Sequence, residues 1–173
     1  MTPVAVAVAV AVTGSAARPA NAFQLGFDDE QVVWETSRLD WWWSAGASTR
    51  ATVYRYMVNW RATARTQPTD ATDPADPAYD WTLADRAARY ARSIGANLEL
   101  STFCAPEWAQ GPNPPAKASG KECFDSAHPL TGGWKPDPAA FGRFGMALAR
   151  RYGGTTQDPA DARSYLPRTT MFE

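Results

Sequence analysis

Val53-Tyr54-Arg55-Tyr56-Met57-Val58-Asn59-Trp60 is the stretch whose reading decides the fold. Aromatic and β-branched residues dominate it, and no proline or glycine follows until Pro68, so it reads as a strand. Side chains alternate across a strand, which puts Tyr54, Tyr56 and Val58 on one face and Val53, Arg55, Met57 and Asn59 on the other. A strand covered on both faces would hold Arg55 inside the protein. Such a charge is costly to bury unless a carboxylate and hydrogen bonds accompany it. The partner of Arg55 is therefore the first thing to look for in the rest of the chain.

Upstream, Phe23-Gln24-Leu25-Gly26-Phe27 is a short apolar strand running into Asp28-Asp29-Glu30. A helix is expected from Val32 to Ala45, with Leu39, Trp42 and Trp43 at i, i+3, i+4 and Gly46 as its stop. Three consecutive tryptophans, Trp41 to Trp43, sweep about 200° of a helix, so at least one lies off the core face. Downstream of the opening strand, Arg61 to Asp80 is a long loop of Pro, Asp, Thr and Ala. Asp70, Asp73, Asp76 and Asp80 in it lack the glycine and spacing of a calcium loop, so they read as a solvated linker. A second helix spans Leu83 to Ile94, with Thr82 placed to cap it, Asp85 three residues later and Gly95 ending it. Its stripe is Leu83, Ala87, Tyr90, Ala91 and Ile94.

A third strand follows at once, Asn97 to Phe103, and a second long loop fills Cys104 to Pro136. A third helix opens with Asp137-Pro138, a cap residue before proline at the first helical position. It aligns Phe141, Phe144, Gly145, Leu148 and Tyr152, with Arg150 and Arg151 in its last turn and Gly153-Gly154 beyond. After a linker, Arg168 to Glu173 begins like a strand. The order βαβαβαβ calls for a parallel sheet joined by crossovers. Loops after strands are long and those after helices mostly short, which places elaboration at the strands' carboxyl ends, where α/β proteins carry their sites. No glycine-rich phosphate loop follows the first strand, so a barrel is favoured over a dinucleotide-binding sheet.

Composition sets further bounds. The 173 residues are 45% hydrophobic and 20% charged, enough for one domain with a real core. A net charge of −1 gives no reason to expect a nucleic-acid or membrane partner. Residues 1–22 read as a secretory signal: an apolar run from Val4 to Val12, too short to span a bilayer, then small residues ending in Ala20-Asn21-Ala22. The mature domain is then 23–173, and its location extracellular. In an oxidising compartment Cys104 and Cys123 could close the loop between them and contribute about 3 kcal/mol; otherwise they are two free thiols. Neither suggests a metal site.

Taken together, the pieces "GFDDE", "YRYMVNW", "YDWTLADRAARYARSIGA", "LELSTFCAPEWA", "WKPDPAAFGRFGMALARRYGG" and "TTMFE" resemble the amino-terminal half of secreted clan A glycoside hydrolases, in the style of the β-xylosidase-like and cellulase-like families. The resemblance covers Phe23 to Glu173. It implies an α/β fold, an incomplete TIM (β/α)8 barrel of about three and a half βα units, where a full barrel takes roughly 250 residues. It also implies retaining hydrolysis of O-glycosidic bonds in a polysaccharide or oligosaccharide, with no metal or organic cofactor. The family's acid/base Glu stands in a Trp-Asn-Glu-Pro type motif at the end of strand four, and its nucleophile Glu at the end of strand seven. Glu173 resembles the non-catalytic acid that precedes that motif, so the acid/base is expected just after Glu173 and the chain alone is expected to be inactive. The alternative is a non-catalytic carbohydrate-binding or structural protein.

By the same resemblance Arg55 matches the family's strand-two arginine, which keeps the nucleophile ionised and oriented. Trp60 and Trp108, just past strands two and three, could stack on sugar rings or simply pack loop bases. Phe103 and Trp134 are secondary candidates for substrate contact. Asn59 could bind a sugar hydroxyl or pin the loop. Glu99 alternates with Leu98 and Leu100, and is expected to point inward and approach Arg55 as its one acid within the chain. Glu107 lies on the wrong strand for the family's acid, and His128 reads as a loop residue.

Overall fold

The computed structural model describes residues 24–35, 37–118, 123 and 129–173. The expected signal segment 1–22, His128 and a minor part of the second long loop lie outside them. Among the described residues the chain runs β1 (Gly26–Asp28), α1 (Gln31–Trp34), α2 (Leu39–Ser48), β2 (Val53–Asn59), α3 (Trp60–Thr63), α4 (Thr82–Ser93), β3 (Asn97–Phe103), α5 (Pro138–Arg151), β4 (Gln157–Asp158), β5 (Asp161–Tyr165) and β6 (Met171–Phe172). Four strands form one parallel sheet in the order β1-β2-β3-β6. This is a mixed α/β architecture in which each new strand of the sheet adds beside the last. β4 and β5 make a separate antiparallel pair.

The alternation of β2 sets the core. Tyr54, Tyr56 and Val58 are buried, joined by Leu98 and Leu100 of β3 and by Ala84, Ala87, Ala88, Tyr90 and Ala91 of α4. The alanines let α4 lie close on the sheet, and Tyr90 meets Tyr54 edge-on at 4.9 Å. On the opposite face Arg55, Met57, Asn59 and Glu99 remain partly exposed. Arg55 is therefore neither sealed in nor on an open surface. Trp60 ends the strand instead of extending it: it starts α3, whose first turn is capped by the Asn59 side chain.

Several expected boundaries move for local reasons. The helix expected over Val32–Ala45 is two helices, because Glu35 is extended and its carboxylate accepts from both the N–H and the hydroxyl of Ser37. Such short-range side-chain bonds compete with helix continuation. Gly46 does not stop α2, which runs on to Ser48. It is instead where the Tyr90 hydroxyl crosses the helix, and a Cβ there would collide with that ring. Trp41 is the member of the tryptophan triplet turned to solvent.

The Arg61–Asp80 loop is better built than a solvated linker. Asp76 is buried, and its carboxylate accepts from the N–H groups of Asp70 and Ala78, each at 2.9 Å. The Ala78 and Asp70 N–H groups hold that carboxyl below its ordinary range. The Tyr79 hydroxyl and Trp81 Nε1 donate back to the carbonyls of Ala71 and Pro74. Thr82 does not cap α4 with its side chain; its N–H donates to Asp80 Oδ1 at 3.0 Å.

Nor does Asp85 serve the helix start. It is buried and takes a fork of bonds from α5: Arg151 Nε at 2.8 Å, Arg151 Nη2 at 2.6 Å and the Tyr152 hydroxyl at 2.9 Å. The α5 helix begins as expected, with Asp137 accepting from the Ala139 N–H and proline next. Its buried face is Ala140, Phe144, Ala147, Leu148 and Arg151, whereas Phe141 is turned to solvent and Gly145 is only partly covered. Phe144 lies between Trp60 and Trp81, near-parallel to both, at 5.3 and 5.8 Å.

The β4–β5 hairpin interrupts what reads in sequence as a plain linker. Its anchor is Asp158, whose side chain is fully buried and meets Arg89 at 2.8 Å and Arg92 at 3.3 Å, both on α4. Arg92 also donates to the Tyr165 carbonyl. Burial alone would raise the Asp158 carboxyl, but the Ala160 N–H and the two guanidiniums outweigh it and hold it below the ordinary carboxylate range.

Two stability predictions follow from these contacts. Asp85→Ala leaves the Arg151 charge buried without its carboxylate, so it is expected to cost about 3–5 kcal/mol in urea unfolding. Replacing Arg151 by Met in the same chain should recover part of that loss. The depressed Asp158 carboxyl stabilises the fold above the ordinary aspartate value, and that contribution fades as pH falls through and below about 4. Thermal melts of Asp158→Asn should start lower at neutral pH and lose less on acidification than the parent.

Candidate functional site

The pairing of β2 puts acids on both sides of Arg55. Asp28 of β1 stands opposite Arg55 on one side and Glu99 of β3 on the other. Residues opposite one another in a parallel sheet project to the same face, so the three side chains share the face that α4 leaves open. Met171 continues the row on β6, and Glu173, two residues on, returns to the same face. Its position is fixed by main-chain bonds: Glu173 N–H donates to the Leu100 carbonyl, and the Thr102 N–H donates to the Glu173 carbonyl, both at 2.9 Å.

The guanidinium of Arg55 is divided among these acids. Nη2 meets Glu173 Oε2 at 2.8 Å and Nη1 meets Asp28 Oδ2 at 3.3 Å, both hydrogen-bonded. Nε faces Glu99 Oε1 at 3.5 Å, an ion pair without an aligned hydrogen bond. Glu99 thus reaches Arg55 as the alternation requires, but it is one of three acids there. Asp28 was legible as a strand-end acid and not as a partner, because only the β1–β2 register decides what it faces. Side-chain exposure runs from 29% at Glu99 to 66% at Glu173, so Glu173 is the partner most easily displaced. Three carboxylates against one guanidinium leave the cluster negative.

The expected sugar platforms are placed differently. Trp60 is 2% exposed, with Phe144 stacked on it and Trp108 edge-on at 5.7 Å, so it has no free face. Trp108 is partly buried and its Nε1 donates to the Ala64 carbonyl. Both therefore pack loop bases. Asn59 Oδ1 accepts from the Ala62 N–H, and its Nδ2 lies 3.7 Å from Cys123 Sγ, so it pins the turn into α3. Trp134 bonds the Pro112 carbonyl and carries Lys135 Nζ 5.0 Å from its ring centre. Phe103, at the end of β3, is partly exposed and borders two surface clefts. Glu107 is exposed, in a short 3-10 turn after β3.

Cys104 and Cys123 form a disulfide with a Cα–Cα distance of 5.7 Å, inside the usual range for such a bond. It ties the residue after β3 to the second loop. The Arg61 N–H donates to the Cys104 carbonyl, so the same point also anchors α3.

Sequence reasoning passed over a cleft of about 430 Å³ along Tyr56 to Asn59. β1 pairs with β2 only as far as Arg55, and the chain then turns into α1, leaving the rest of β2 paired on the β3 side alone. Glu30, Trp34, Arg65 and Asp80 complete the walls. Glu30 has its carboxyl raised by burial and by the charge of Asp28, against an opposing hydrogen bond from Trp34. Trp34 is 55% exposed. In the sequence it stands near the start of the expected Val32–Ala45 helix, where an exposed ring is not distinguished from a core one.

Among the described residues no helix is long and apolar enough to cross a membrane. Arg55→Gln is expected to destabilise the chain by about 1–2 kcal/mol at neutral pH, since three facing carboxylates lose their shared cation. Paired urea titrations of parent and variant at neutral pH measure that cost. No protein-family model matches this chain and no curated protein matches it, so what the site does has to be argued from its own geometry.

Proposed function

We propose that residues 23–173 are the first three and a half βα units of a (β/α)8 barrel, and that the complete protein is a secreted retaining glycoside hydrolase acting on polysaccharide or oligosaccharide. The observation that carries this reading is Arg55, held by Asp28 of β1, Glu99 of β3 and Glu173 just past β6 on the sheet face that α4 leaves open. A barrel interior is where successive parallel strands direct such a row. A cation so placed favours the ionised form of any carboxylate brought beside it. In retaining hydrolysis that carboxylate is the nucleophile, and it lies about 5–5.5 Å from a second carboxyl that first donates and then accepts the proton.

In this reading Glu173 occupies a place on Arg55 that the nucleophile of strand seven takes in the complete enzyme. Its high exposure makes the exchange inexpensive. The acid/base falls about four residues past Glu173. Export is part of this reading, and the Cys104–Cys123 disulfide is compatible with an oxidising compartment. The carbohydrate-binding alternative has less support, since Trp60 is buried and Trp108 is committed to its loop.

The test has two arms. The 173-residue chain should show no turnover of aryl β-glycosides, and the product of the reading frame continued past Glu173 should hydrolyse them with retention of configuration. In that longer product Arg55→Lys should lower kcat roughly 10²-fold, the loss typical of one electrostatic donor. Turnover by the short chain, or a continued frame without a Trp-Asn-Glu-Pro type motif, would refute the proposal.

A further inference from the structure

The cleft along Tyr56–Asn59 shares no lining residue with the Arg55 cluster, and it is acidic. Its volume of about 430 Å³ falls within the range of small-molecule sites. Two carboxylates, Glu30 and Asp80, line it against one guanidinium, Arg65. Asp80 is already provided for: the Thr82 hydroxyl and N–H, and then the charge of Arg65, hold its carboxyl below the ordinary range. Glu30 is the acid left over. Among the described residues no cation stands within ion-pair distance of it. Burial and the nearby charge of Asp28 raise its carboxyl, and only a hydrogen bond from Trp34 opposes them. A carboxylate so placed gains from any cation brought beside it.

The rest of the lining decides which cation. Trp34 is 55% exposed, although burying an indole is among the larger apolar gains open to a chain, so its ring is available to a ligand. Met57, Leu83 and Phe103, all partly exposed, add apolar wall. A hard metal ion needs several oxygen ligands, and no cluster of three side chains suited to one exists among the described residues. A primary ammonium is strongly hydrated and would give up water against these walls. A quaternary or fully alkylated ammonium can bury its methyl groups and set its charge against an indole face. We infer that this cleft binds a small organic cation of that class, with the cationic nitrogen over Trp34 and the Glu30 carboxylate as its counter-ion. The inference stands apart from the glycosidase reading and needs neither the Arg55 cluster nor any residue past Glu173.

The 173-residue chain can be titrated with tetramethylammonium and with choline, followed by tryptophan fluorescence and by heteronuclear NMR. Both should bind saturably with a millimolar Kd. The uncharged analogue of choline, in which a tert-butyl group replaces the trimethylammonium, should bind about tenfold more weakly or not at all. Trp34→Ala and Glu30→Gln should each weaken choline binding about fivefold to tenfold, and Trp34→Phe, which keeps a ring face, should weaken it less. Trp41→Ala, which removes a similarly exposed tryptophan outside the cleft, should change nothing. Absence of saturable binding by either cation, equal binding of the uncharged analogue, or an unchanged Kd in Glu30→Gln overturns the inference. Choline and its analogue are compared on the parent chain, so that comparison decides the matter even where a variant fails to fold.

Discussion

The register of β2 against its two neighbours is the constraint on which the rest depends. Side chains alternate with a period of two, so a slip of one residue would carry Tyr54, Tyr56 and Val58 out of the core and drive Arg55 into it. The observed register avoids both penalties at once. It buries the aromatic face under the alanine-rich side of α4, and it leaves Arg55 opposite Asp28 and Glu99. The apolar gain of three large buried side chains far exceeds what partly exposed ion pairs contribute. Packing therefore sets the register, and the charge row is its consequence.

The helices are tied to that sheet by polar groups that an apolar count would miss. Asp85 of α4 receives Arg151 and Tyr152 from the end of α5, and Asp158 receives two arginines from α4. Buried pairs of this kind contribute little beyond what apolar side chains would, but they penalise every arrangement that separates the partners. Here they fix how α5 and the hairpin lie against α4. That in turn sets where Phe144 stands, and Phe144 is what closes over Trp60.

This chain of dependence explains what the sequence could and could not disclose. The strand periods, the Asp137-Pro138 helix start and the β3 limits are local properties and were readable. Whether Trp60 is a platform or a core residue was not, because the ring that covers it arrives from α5, some eighty residues later. Gly46 looked like a helix stop because glycine usually is one there; its actual reason is the Tyr90 hydroxyl crossing from α4. The hairpin was hidden by its brevity, although Asp158-Pro159 is a recognisable turn opening. Of the Arg55 partners, Glu99 followed from alternation alone. Asp28 required knowing which residue of β1 meets which of β2.

A common logic links the two sites. β1 is three residues long against seven in β2, and that mismatch has two effects. Its last residue, Asp28, is still paired and so reaches Arg55. Beyond it the chain leaves the sheet, and the unpaired side of Tyr56 to Asn59 is flanked by Glu30 and Trp34 rather than by another strand. A longer β1 would extend the ladder and fill the cleft with its own side chains. A shorter one would remove Asp28 from the cluster. The early exit of β1 thus supplies an acid to one site and opens the other, and the two should respond together to any insertion or deletion between Phe27 and Gln31.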